Sequence, residues 1–76
     1  MKKRTEVWNE IKHNDNGDWI GEIWVNNGNS IVLFDTVIDN DRAMFYYWLK
    51  FYTNTAKKCL EEATDIADIS ACYLRS

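Results

Sequence analysis

The chain contains no proline, and its three glycines all fall at or before residue 28. Nothing after that point removes a backbone donor or invites a left-handed turn, so a helix in the second half can run uninterrupted. Three scattered glycines also exclude a glycine-rich loop of the kind that cradles phosphate. There is one histidine, His13, beside a turn signal; no nucleophile and base can be paired, and no catalytic residue is expected. Two cysteines, Cys59 and Cys72, are too few for a secreted disulfide scaffold. With a single distant histidine they also fall short of a structural zinc set. The expectation is reduced thiols, no metal and no cofactor. The acidic run NDNGD lacks the twelve-residue calcium-loop pattern with its distal Glu.

Long apolar runs are missing too. None approaches the ~18 residues of a membrane span, and the basic start MKKRTEVW leads into no hydrophobic signal region. These features point to a cytoplasmic protein with no membrane partner. Positive charge is scarce: nine Lys and Arg against twelve Asp and Glu give a net charge of −3, which disfavours holding a phosphate backbone by bulk electrostatics. The pI near 4.9 equally falls short of the extreme acidity of a DNA mimic.

What is present is bulk. Seventy-six residues make one domain, which at this size buries only about 60% of the surface its unfolded chain exposes. A hydrophobic fraction of 46%, with aromatics at 14%, supplies a core in spite of that, because rings bury more area per residue than other side chains.

Residues 5–12, TEVWNEIK, alternate, with Val7 and Ile11 on one face and Glu6, Trp8, Glu10 and Lys12 on the other. Asn16-Gly17 then marks a hairpin turn. WIGEIWV, 19–25, places Trp19, Gly21, Ile23 and Val25 opposite Ile20, Glu22 and Trp24. NNGN is a second turn, and SIVLFDTVI, 30–38, is β-branched and apolar on both faces. Asp39, Asn40 or Asp41 can cap a following helix. The fold class is therefore α+β: a three-stranded antiparallel meander packed by one long C-terminal helix, β-β-β-α. Residues 65–76 are open to three readings: continuation of that helix, a short second helix from Asp65, or a fourth strand carrying Cys72, Tyr73 and Leu74.

On the helix, RAMFYYWLKFYTNT puts six aromatic residues into eight positions, 45–52. At about 100° per residue, Phe45, Trp48, Leu49, Tyr52, Ala56, Cys59, Leu60, Ala63, Ile66 and Ala67 share one sector of roughly 140°. Met44, Tyr47 and Phe51 form a second row beside it, confined to the first turns. Either the loop or the C-terminal segment buries that row, or it is an exposed anchor for a protein partner, since Met, Tyr and Phe are enriched at interface cores. The sheet raises the same question. One helix covers one face, yet the second is expected to offer Trp8, Ile20, Trp24, Val32 and Phe34; the C-terminal segment, a second copy of the chain or another protein should cover it.

The expected protein-binding residues are thus Met44, Tyr47 and Phe51, followed by Trp8 and Trp24. The alternative is single-stranded DNA or RNA stacked on the sheet aromatics, with Lys2, Lys3 and Arg4 on phosphate. Glu6, Glu10 and Glu22 on the same surface oppose it. Glu61, Glu62, Asp65 and Asp68 read as a solvated acidic face.

Taken whole, a chain beginning MKKR, rich in Asn and Asp, with a meander and the aromatic helix DRAMFYYWLKFYTNTAKKCLEEA, resembles the small proteins that phages encode to disable host machinery. Anti-CRISPR proteins and small inhibitors of host polymerases, nucleases or toxins are of this kind. The likeness is one of overall style and transfers no functional residue. It implies a non-enzymatic, stoichiometric inhibitor that occupies a partner's surface in the host cytoplasm.

Overall fold

Two asparagine-built turns shape the sheet. In the first, the Asn14 side chain accepts from the Asn16 and Asp18 amides while Gly17 takes a φ of 85°, a left-handed value that costs glycine little. In the second, Asn27 accepts from Asn29 and Ser30, Asn26 accepts from Gly28, and Gly28 has a φ of 93°. The computed structural model describes residues 5–63 and 65–76. Between and beside the turns lie β1 (Glu6–His13), β2 (Trp19–Asn26) and β3 (Ile31–Asp39), antiparallel in the order β1-β2-β3. The expected α+β meander is what forms.

Asp41 is the cap that starts α1 (Arg42–Glu62), accepting from the Ala43 and Met44 amides at 2.9 and 3.2 Å. Of the three continuations, the short second helix is the one observed: Asp65 caps α2 (Ile66–Leu74) through the Ala67 amide. The break at Ala63 resets the helical phase, and beyond it the expected stripe holds at Ile66, which packs against the core, but not at Ala67. Ala67 is exposed, and Ile69 becomes fully buried in its place.

Cross-strand register sorts the sheet into two faces. The inner face presents the rows Val7, Val25, Val32 and Ile11, Gly21, Val37, with Asn9, Ile23 and Asp35 between them. α1 lies on this face, where Phe45, Leu49, Ala56 and Cys59 are buried against Ile23 and Val25. Gly21 explains how closely it lies: a β-carbon there would come within 2.6 Å of a Leu49 methyl and 3.1 Å of the Phe45 ring. Thr53, which the apolar stripe omitted, is also buried, its hydroxyl accepting from the Asn9 amide group at 3.1 Å. A polar residue fits the core there because the facing strand supplies its hydrogen-bond partner.

Two expectations are corrected. Val32 and Phe34 do not join Trp8, Ile20 and Trp24 on the outer face; both pack against the core. Pairing shifts between Ile23 and Trp24, with Ile23 opposite Asp35 and Trp24 opposite Leu33. The extra residue, Phe34, is a bulge that reverses the side-chain parity of β3 along its length. Ile31, Leu33 and Ile38 take the outer positions instead, at 60%, 47% and 62% exposure. The second correction concerns the thiols. Cys59 and Cys72 form a disulfide, because α2 folds back on α1 until their α-carbons are 5.7 Å apart, a normal bridging distance.

Candidate protein-binding surfaces

Met44, Tyr47 and Phe51 project from α1 to solvent at 45%, 60% and 45% exposure. The C-terminal segment does not cover them, because it docks further along α1. Helical spacing brings them together, Met44 one turn before Tyr47 and Tyr47 one turn before Phe51, and Tyr47 and Phe51 border an open depression with Lys50 and Asn54. They are not isolated from the stripe. Trp48, partly buried, contacts Tyr47 edge-on at 5.1 Å and Phe51 at 5.9 Å, and stacks on Tyr52 at 5.7 Å. Tyr52 in turn meets Tyr73 of α2 at 5.9 Å, and Tyr73 meets Phe34 edge-on at 4.9 Å. The rings form one ridge, exposed at Tyr47 and Phe51 and sunk at Phe34. The sequence divides the ridge into core and spare rows, sets Phe34 on the outer sheet face and Tyr73 in a possible fourth strand, and does not bring the two together. Their meeting depends on the bulge and on the reversal into α2.

Burial and a 2.5 Å hydrogen bond to the Asp35 carboxylate raise the Tyr73 hydroxyl well above the usual tyrosine range. Phe34 and Asp35, adjacent across the bulge, therefore both engage this one ring. Tyr46, beside the ridge, turns the other way and joins Trp19 and Phe45, with the Arg42 guanidinium 5.8 Å from its ring.

Trp8 and Trp24 lie elsewhere, on the outer face of the sheet. They are directly opposed across β1 and β2, with centroids 6.5 Å apart and planes within 12°. The residues expected to bind a partner thus fall on two separate surfaces. On the outer face, registered rows run Glu6, Asn26, Ile31; Trp8, Trp24, Leu33; Glu10, Glu22, Thr36; and Lys12, Ile20, Ile38. Apolar area concentrates along β3 and charge along β1, and Lys12 neutralises Glu22 at 3.0 Å. No described helix packs on this face. Lys2, Lys3 and Arg4, the basic trio of the nucleic-acid alternative, lie outside the described residues.

Among the described residues no group of three or more His, Cys, Asp or Glu could hold a metal ion, and no helix is long and apolar enough to cross a membrane. Comparison found no protein-family model, no curated protein and no solved structure that matches the chain.

Proposed function

We propose that this chain is a non-enzymatic protein-binding module that acts by occupying a partner's surface, with the aromatic ridge of α1 as its principal contact. The observation that carries this reading is the exposure of Met44, Tyr47 and Phe51 as neighbours on one helix. Rings held by packing lose little conformational freedom on binding, and Tyr, Phe and Met are residue types that concentrate binding energy at interface centres. The outer face with Trp8 and Trp24 is the second contact surface, and a second copy of the chain is one occupant for it. The resemblance to phage inhibitors supports a partner among host defence or nucleic-acid-processing proteins.

Phe51→Asp tests the reading. The variant should keep the circular dichroism of the wild type and lose at least about tenfold in affinity for any protein captured by the wild-type chain, as expected when an anchor is replaced by a charge. Unfolding of the variant would show Phe51 to be core and remove the patch. The stacked Trp8 and Trp24 keep single-stranded nucleic acid as the alternative. That mode would show oligonucleotide affinity falling steeply with salt, and no shift at low salt would eliminate it.

A further inference from the structure

α2 is held by side-chain packing, with Ile66 against the core and Tyr73 against Tyr52 among its contacts, and by one covalent bond. Ile69 is wholly buried, Tyr73 packs on Phe34 and donates to Asp35, and Cys72 is bonded to Cys59. α2 has nine residues, and Ile69 is its one buried side chain among them. A helix of that length is below the ~12–15 residues at which isolated helices become even marginal in water. The buried cluster beneath draws mostly on other elements: Val7, Ile23, Val25, Val37, Phe45, Leu49, Ala56 and Cys59 come from the sheet and α1, and Ile69 is the one member that α2 supplies.

We propose that the Cys59–Cys72 disulfide is a redox-controlled latch: in the oxidised protein α2 occupies an apolar strip on α1 and β3, and reduction by a dithiol releases it. Cys59 is only 1% exposed whereas Cys72 is partly buried, so Cys72 is the more open end of the bond to a reductant. A thiolate of the reductant attacks the Cys72 sulfur, the bond between the two cysteines breaks, and Cys59 leaves as a thiolate that takes up a proton. The second thiol of the reductant then attacks its own sulfur in the mixed disulfide. Cys72 is released as a thiol, and the reductant is oxidised to its internal disulfide. Two electrons and two protons pass to the chain. The Glu62 carboxylate, 3.5 Å from the Cys72 sulfur, repels an incoming thiolate and so slows opening. Once the bond is open, it offers the new thiol an acceptor and disfavours the thiolate needed for re-closure.

Release of α2 lengthens the exposed ridge. Tyr52 is the shared ring, touching Trp48 and Phe51 on one side and Tyr73 on the other. With Tyr73 gone, Tyr52 and Phe34 join the apolar surface that begins at Tyr47. The use of this opening as a gate on partner binding rests on the function proposed above; the opening itself does not.

Amide hydrogen exchange on the full chain, oxidised and after dithiothreitol, reads the latch directly. Protection over residues 66–74 should fall at least about tenfold on reduction while β2 and residues 45–56 keep theirs, as for a local opening that leaves the global core intact. Unchanged protection in α2 would overturn the proposal. So would loss of protection throughout, which would make the bond a staple of the whole fold. Cys72→Ser without reductant should reproduce the reduced pattern, and a protected α2 in that variant would equally overturn the latch. Because the readout needs no partner, failure of Phe51→Asp to weaken binding would remove the binding reading and leave this result standing.

Discussion

The two faces of the sheet are built from the same three strands and have opposite fates. On the inner face, Val7, Ile23, Val25 and Val37 are small or β-branched and lie beneath a helix. On the outer face, two half-buried tryptophans, an exposed aliphatic edge and the glutamates of β1 border solvent. The difference shows that hydrophobicity does not by itself define the core of so small a domain. Isoleucine serves at both Ile23, fully buried, and Ile38, 62% exposed. What separates them is whether a helix can approach, and Gly21 is what permits it.

The sharpest way to break this comparison uses two phenylalanines on one helix. Phe45→Ala, at a position with no exposure, should lower unfolding free energy by about 3–5 kcal/mol through lost transfer energy and the cavity left behind. Phe51→Ala should lower it by less than about 1 kcal/mol, as for a surface substitution. Chemical denaturation of both measures the contrast, and equal losses would mean that the ridge is core.

Gly21→Ala tests the close approach on the inner face. The added methyl must displace Leu49 and Phe45, and overpacking of this kind should cost about 1–3 kcal/mol in the same assay. A neutral result would show that α1 can lift from β2 without loss.

On the outer face, Leu33→Asp should change monomer stability by no more than about 0.5 kcal/mol, since it creates no buried charge. Its larger effect would be on association. If a second copy covers this face, sedimentation should show a wild-type dimer and a monomeric variant; a wild-type monomer would leave the face for a different protein.

The smallest expected effect is a pH dependence. Burial, then the bond to Asp35, raise the Tyr73 hydroxyl above its unfolded value. A raised folded value stabilises fully below the ordinary tyrosine pKa of about 10, and that contribution declines as pH rises past it. The stability difference between the wild type and Tyr73→Phe, both oxidised, should therefore be constant from neutral pH up to the tyrosine range and shrink above about pH 10. A constant difference across that range would mean that the hydroxyl titrates alike in both states.

Much of the architecture was legible because it is local. Asn14, Gly17, Asn27 and Gly28 make their turns from neighbouring atoms, and Asp41 and Asp65 cap helices within three residues of themselves. The α1 stripe through Phe45, Leu49, Ala56 and Cys59 follows from helical period alone. The separate row of Met44, Tyr47 and Phe51 was visible in the same count, although its continuity with Tyr52, Tyr73 and Phe34 was not.

The sequence by itself determined the meander, the start of each helix and the α1 stripe, since each is specified by side chains within a few residues of the backbone they act on. Tertiary structure alone decided the bulge at Phe34, because a strand apolar on both sides contains no alternation from which to read its parity. It decided the burial of Thr53, whose partner Asn9 is forty-four positions away. It also decided the disulfide, because two cysteines thirteen apart become neighbours only when the chain reverses between them. That reversal completes the aromatic ridge and sets α2 as its cover.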